Sequence, residues 1–369
     1  MRPDDERDAG LRPAVTKGRG AVSNPAGRFE PFQTAEFDDG WTAPGDDESG
    51  AEPRIPTTVL IDATKSVLVR NESPDVPFEL SINPYRGCEH GCVYCFARPS
   101  HAYLGMSPGL DFETRLLAKP RAAELLDAEL RRPRYACRVI AMGTNTDPYQ
   151  PTERRLRITR QILETLARFR NPVSIVTKSD LVLRDIDILR EMAAENLAEV
   201  SLSVTTLDRE LARRMEPRAA TPERRIAAIR ALRDAGIPAG VLVAPIIPAL
   251  NDCDLEKILE ACAGAGAQWA AYVILRLPLE LKQLFEEWLA ANFPEKAAHV
   301  LRLVREMRGG ELYQPKFGER MTGTGPVAAL IARRFGAARA RLGFGGEPAL
   351  DTTRFRRPGK RGETLPLGF

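Results

Sequence analysis

The sequence predicts an α/β fold assembled from βα repeats. Three observations predict it. Short apolar runs recur between residues 80 and 278, and each ends in polar residues. Amphipathic helical segments fill the intervals. The chain is 369 residues long, 43% hydrophobic and 28% charged, enough to bury a sizeable core around such a sheet. Near-continuous apolar runs suit parallel strands buried on both faces, and parallel neighbours need a crossover helix between them.

Residues 1–55 are rich in Gly, Pro, Asp, Glu and Arg and poor in apolar residues, so a disordered tail is expected there. In 56–77, "TTVLIDATKSVLV" (57–69) places two β-branched runs around a polar centre, an expected hairpin or pair of edge strands. The core spans 78–280. Its expected strands are "LSIN" (80–83), "RVIAMG" (138–143), "VSIVT" (173–177), "EVSLSVTT" (199–206), "AGVLVAP" (239–245) and "AAYVILRLP" (270–278). Periodicity leaves open whether they form an open doubly wound sheet or a barrel, complete or partial. In either case the site belongs at the carboxyl ends of the strands.

The intervals keep helical spacing. "TERRLRITRQILETLARF" aligns Leu156, Thr159, Leu163 and Leu166. In "TPERRIAAIRALRDAG", Thr221 is the expected N-cap, Pro222 opens the helix and Gly236 follows its end. In "DCDLEKILEACAG", Leu255, Ile258, Leu259 and Cys262 share one face, which makes Cys262 a core residue. Residues 281–345 read as a helical cover, and 346–369 as a basic disordered tail with interspersed Phe.

The concentrated chemistry lies at "GCEHGCVYC" (87–95). Three of the chain's six cysteines, Cys88, Cys92 and Cys95, fall there as C-x3-C-x2-C directly after the first core strand. Gly87 and Gly91 allow a tight loop. A structural zinc site takes four ligands, and here the fourth would have to be His90 or His101. An iron–sulfur cluster accepts closely spaced thiolates, and three would leave one iron open to a further ligand.

C-x3-C-x2-C with an aromatic, Tyr94, before the last cysteine resembles the signature of the radical S-adenosylmethionine (SAM) superfamily. The resemblance covers about residues 78–280. It implies a partial (β/α)6 TIM-like barrel with a C-terminal helical extension. It implies that Cys88, Cys92 and Cys95 hold three irons of a [4Fe–4S] cluster whose fourth iron chelates SAM. The chemistry implied is reductive cleavage of SAM to a 5′-deoxyadenosyl radical, followed by hydrogen abstraction. A flavodoxin or ferredoxin is the implied electron donor.

The loops after the other strands are read on the same basis. In "GTNTDPYQPTE", Thr144 and Asn145 stand where the superfamily binds the amino group of SAM, and Asp147 and Glu153 are candidates to face the substrate. The chain is most similar to the spore photoproduct lyase branch, together with uncharacterised DNA-repair-photolyase-like proteins. That resemblance assigns Lys178, in "VTKSD", to the SAM carboxylate and Ser203 to a further SAM contact. Ile246 and Ile247 are candidates to pack against adenine. That lyase uses a cysteine at the end of its second strand as hydrogen donor. This chain has "AMGTN" there, which argues against the same repair reaction.

Glu216, Arg218, Arg224 and Arg225 read as a charged helix entry or as groups that steer an anion. "YQPKFGERMTGTGP" is expected as a loop near the site. A nucleic-acid substrate is expected by analogy with the branch. The alternative is a zinc-binding, nucleic-acid-binding protein without SAM chemistry. The charged start lacks a secretory signal, and the longest apolar stretch (239–250) is too short and proline-rich to span a bilayer. A cytoplasmic protein without a membrane partner is expected.

Overall fold

A computed structural model describes residues 16–30 and 55–359. Its strands are β1 (Thr58–Ile61), β2 (Val69–Arg70), β3 (Leu80–Ile82), β4 (Tyr85–Arg86), β5 (Arg115–Ala118), β6 (Ile140–Met142), β7 (Val173–Thr177), β8 (Ala198–Ser203), β9 (Ala239–Ile246) and β10 (Ala270–Ile274). All six expected core strands are present, as β3 and β6 to β10. They form one parallel array in the order β10-β9-β8-β7-β6-β3, with β2 added antiparallel to β3. Every residue of β3, β6 and β8 is buried, as their continuous apolar character requires.

The array is curved. Val69 and Arg70 of β2 and Val273 and Ile274 of β10 line the same cavity of about 560 Å³. A flat sheet of seven strands would hold those edges roughly 29 Å apart. The strand order nevertheless ends at β10 and β2, so the barrel stays open. This settles what periodicity left undecided: the fold is a partial α/β barrel.

The helices are α1 (Asp111–Thr114), α2 (Ala122–Leu130), α3 (Glu153–Leu156), α4 (Ile158–Phe169), α5 (Ile186–Ala194), α6 (Arg209–Met215), α7 (Pro222–Asp234), α8 (Leu255–Gly264), α9 (Leu281–Asn292), α10 (Pro294–Glu306) and α11 (Gly325–Arg341). The main core lies between strands and helices, where Ile140, Ile175, Val200 and Val241 meet Ile162, Leu189, Ile229 and Ile258. Cys262 is fully buried there, as its spacing predicts. A second core joins Cys92, Val93 and Tyr94 to Leu284, Phe285 and Trp288 of α9 and Val300 and Val304 of α10. Those two helices therefore cover the cysteine loop.

Several expectations are corrected. The single helix expected over 152–169 is two, broken at Arg157 with φ 53°. The Glu153 carboxylate accepts from the Ile158 and Thr159 N–H groups at 3.0 and 3.2 Å, capping α4 from α3. Thr221 occupies the N-cap of α7, but its side chain makes no capping hydrogen bond. Residues 57–69 form no hairpin: β1 pairs parallel with β5 in a separate sheet ordered β1-β5-β4, while β2 edges the barrel.

The tails are corrected in part. Within the expected disordered segment 1–55, residues 19–22 are buried against the cysteine loop. Residues 1–15 and 31–54 lie outside the described residues. Of the expected disordered tail 346–369, residues 346–359 are placed. Phe355 stacks on Phe169 at 6.2 Å, and Arg357 donates to the Arg132 and Tyr135 carbonyls. Composition averages over a segment and misses single anchors of this kind; residues 360–369 lie outside the described residues.

Candidate active site

The cysteine loop leaves β4 through Gly87 (φ 76°) and turns again at Gly91 (φ 67°). A Cβ on Gly87 would lie 2.8 Å from the Phe112 carbonyl oxygen, and one on Gly91 would lie 2.5 Å from Glu113 Oε2. Both positions therefore require glycine on conformation and on space. The loop is pinned from behind by Arg98, which is fully buried. Its guanidinium donates to the carbonyls of Cys92 (2.8 Å), Gly91 (3.0 Å), Pro108 (3.2 Å) and Gly109 (2.8 Å) and to Glu113 Oε1 (2.6 Å). Glu113 also accepts from the Gly20 and Ala21 N–H groups.

Cys88, Cys92 and Cys95 are free thiols that line the barrel cavity. Burial pushes all three thiols up, Cys92 to about 12. Without a metal they are protonated at neutral pH. Among the described residues no three His, Cys, Asp or Glu side chains converge on a single metal-ion position. His101 turns its Nε2 to the Arg115 carbonyl at 3.0 Å, and His90 Nδ1 stands 3.3 Å from Asp147. Neither histidine completes a four-ligand zinc set.

The polar loops meet at the same cavity. Asn83, at the end of β3, accepts from the Asn145 and Thr146 N–H groups at 3.1 and 3.4 Å, which sets Thr144 and Asn145 along the cavity wall. Asp147 is a hub. It accepts from the Thr177 hydroxyl (2.7 Å), the Tyr149 N–H (2.8 Å) and the Lys178 N–H (2.8 Å). Burial opposes its ionisation, but His90 and these donors outweigh burial and bring the carboxyl down to about 2. Asp147 thus positions Lys178 rather than facing a substrate as expected. Glu153, expected beside it, is buried between the Tyr85 hydroxyl and Arg184.

Lys178 follows β7 and reaches over the Tyr94 ring, with its ammonium 5.7 Å from the ring centroid. The Tyr94 hydroxyl donates to Glu216, which also accepts from Thr205 and forms a buried ion pair with Arg225. Burial opposes the Glu216 charge, but Arg225 and Lys178 keep its carboxyl below the ordinary value. Of the charged helix entry, Glu216 and Arg225 therefore brace Tyr94. Arg218 pairs with Glu89 and Arg224 with Asp180. None of the four is placed to steer an anion into the cavity.

Ser203, at the end of β8, lines the cavity, while Ser201 accepts from Trp269 Nε1 at 3.1 Å. The wall from β9 is made by Leu242, Ala244 and Pro245; Ile246 and Ile247 are buried in the two cores instead. Gly143 ends β6. A Cβ there would lie 1.9 Å from the Val176 carbonyl oxygen, so that position can carry no cysteine.

All eight predicted site residues, Cys88, Cys92, Tyr94, Cys95, Thr144, Asn145, Lys178 and Ser203, line this one cavity. Sequence reading missed Asn83, Arg98, Glu113 and Arg276. Asn83 was detectable as the polar residue ending the first strand. The other three depend on long-range contacts.

The residues fit a [4Fe–4S] cluster and SAM. Three free thiols on one wall suit three irons and leave the fourth for a ligand. An ammonium, a hydroxyl and amide-bearing loops surround the adjoining space.

Comparison with known proteins agrees. The family model described as the radical SAM superfamily matches residues 82–262. An uncharacterised protein of Mycobacterium bovis is 39% identical over 260 residues, covering 70% of this chain and 75% of the relative. One from Methanocaldococcus jannaschii is 30% identical over 215 residues, covering 58% of this chain and 76% of the relative. Among solved structures, spore photoproduct lyase complexed with dinucleoside spore photoproduct has a TM-score of 0.54 at 15% identity, covering 77% of this chain and 78% of that one. At that identity the likeness is one of fold.

Proposed function

The chain belongs to the radical SAM superfamily and is an enzyme with a [4Fe–4S] cluster and SAM as cofactors; we propose that Cys88, Cys92 and Cys95 hold the cluster and that SAM and substrate share the cavity they line. The carrying observation is the convergence of three free thiols, Lys178, Ser203 and the 144–145 loop on one cavity at the carboxyl ends of the strands. When bound, cluster and SAM supply a 5′-deoxyadenosyl radical that abstracts hydrogen from the substrate.

The protein's part is placement. Lys178, aimed by Asp147, neutralises the SAM carboxylate. Thr144 and Asn145, set by Asn83, receive its amino group. Ser203 supplies a hydroxyl contact, and Tyr94, locked by Glu216, backs the cofactor with its ring. Arg98 and Glu113 hold the cysteine loop closed from behind. The strand walls line the cavity on several sides, and α9 and α10 back the cysteine loop from outside it.

Nucleic acid is the proposed substrate class, supported by analogy of fold with a lyase solved with a dinucleoside photoproduct. Radical SAM enzymes need an electron donor, and a flavodoxin or ferredoxin is proposed here. No helix among the described residues is long and apolar enough to cross a membrane. A cytoplasmic location is proposed from the reducing conditions that the cluster requires. The zinc alternative finds no fourth ligand among the described residues and is set aside.

The test is anaerobic reconstitution with iron and sulfide, reduction with dithionite, addition of SAM and assay for 5′-deoxyadenosine. Product that disappears in Cys92→Ala is expected. Stoichiometric zinc without iron would overturn the proposal.

A further inference from the structure

The cavity wall beside β10 carries a guanidinium that forms no ion pair among the described residues; its charged neighbour, Asp75, is bonded to Arg320 instead. Arg276 lies two residues past β10 and is half-buried. Its contacts are the Met321 sulfur at 3.3 Å and the Phe96 ring at 5.1 Å. Its Nε is buried and bonds to nothing among the described residues. Arg320, which also lines the cavity, is different: Asp75 and Ser73 occupy it.

The position of Arg276 is fixed. Arg308, itself buried, donates to the carbonyls of Ile274 (3.2 Å), Leu275 (2.6 Å), Glu319 (3.2 Å) and Arg320 (2.8 Å). The Ile274 N–H donates to the Met321 carbonyl at 2.9 Å. The strand end that aims Arg276 is thus tied to the 319–321 loop.

Holding a charged group partly out of water without a hydrogen-bonded counter-charge costs stability. The arrangement makes sense if an anion completes it. The neighbouring acids are already engaged: Asp147 by Thr177, Tyr149 and Lys178, and Asp75 by the Gly318 N–H and Arg320. Two exposed rings stand beside the two arginines: Phe96, 43% exposed, under Arg276, and Phe317, 56% exposed, under Arg320. A guanidinium fork recognises phosphate and carboxylate alike. Exposed rings beside it favour a ligand that carries an anion and a flat base together.

We propose that Arg276 is the phosphate subsite of the substrate cavity, receiving a phosphate of an unpaired nucleotide whose base packs on the exposed rings of Phe96 and Phe317. This rests on the reading of the cavity as the substrate site of a radical SAM enzyme. It assigns Arg276 to the substrate and leaves the SAM carboxylate to Lys178.

The test uses the full-length, anaerobically reconstituted protein and a short fluorescein-labelled single-stranded oligonucleotide, followed by anisotropy. Arg276→Gln should weaken binding about tenfold or more and reduce the salt slope by about one. Arg276→Lys should recover part of the affinity. The tail variant Arg356→Gln should lose far less than Arg276→Gln, and the cluster absorbance of each variant reports folding. SAM affinity, measured by calorimetry, should follow Lys178 and not Arg276.

Equal losses in Arg276→Gln and Arg356→Gln would mean nonspecific attraction and overturn the assignment. So would a wild type that ignores the oligonucleotide, or Arg276-dependent capture of an acidic peptide in its place. A fall in SAM affinity alone would move Arg276 to the cofactor. Because the binding assay needs no turnover, absence of 5′-deoxyadenosine would refute the proposed function without touching this result.

Discussion

Arg98→Met tests whether the cysteine loop is held from behind. The variant keeps an unbranched chain of similar reach but removes five hydrogen bonds, four of them to backbone carbonyls at 91, 92, 108 and 109. It also strands Glu113, since both partners of that ion pair are fully buried. Removing one partner of a buried pair costs about 3–5 kcal/mol. The abandoned carbonyls add roughly 1–2 kcal/mol, since loop movement lets water reach some of them. A total of about 4–7 kcal/mol compares with the 5–15 kcal/mol by which a typical domain is stable. The assay is urea unfolding of the metal-free chain by tryptophan fluorescence, alongside iron per chain after reconstitution. Arg98→Met should unfold at much lower urea and retain little iron. Adding Glu113→Gln should recover part of the loss, because the unpaired charge goes while an acceptor for the Gly20 and Ala21 N–H groups remains. A loss below about 2 kcal/mol, or strictly additive losses in the double variant, would refute the reasoning.

Three further outcomes are expected. Lys178→Ala should keep iron and sulfide content and weaken SAM binding by about tenfold; unchanged affinity in equilibrium dialysis would remove Lys178 from the cofactor. Because burial raises all three cysteine thiols, cluster assembly must expel protons and should speed up as pH rises from about 7 to 9; a flat reconstitution rate would count against thiolate formation as the limiting requirement. Burial and the neighbouring Glu347 push the Glu199 carboxyl up to about 9. The folded state therefore holds a proton that the unfolded chain has lost above its ordinary value of 4.5, and stability declines as pH rises from there towards 9. Glu199→Gln should remove that decline, so its melting temperature should exceed wild type by more at pH 9 than at pH 6.

The sheet was legible because its strands are buried on both faces, and continuous burial leaves continuous apolar sequence. The cysteine motif was legible because its ligands are local, with Cys88 and Cys95 seven residues apart and glycines where the turns fall. Lys178 and Ser203 were assigned by the family resemblance, and their places at the carboxyl ends of parallel strands agree with it. Helix ends were less legible. The break at Arg157 depends on Glu153 folding back onto the next helix, and a hydrophobic period does not record a single carboxylate's hydrogen bonds.

The sequence by itself determined the chain order of the six core strands, their parallel arrangement and the three thiols, since each follows from short-range pattern. Only the tertiary structure decided that the sheet curves until its two edges share a cavity. It also decided that residues 19–22 pack behind the cysteines, 93 positions before the carboxylate that binds Gly20. The tie between Arg308 and the end of β10, which aims an unpaired Arg276 into that cavity, is of the same kind. Such contacts join residues whose separation along the chain carries no period, so they exist only once the sheet has curved around the cavity.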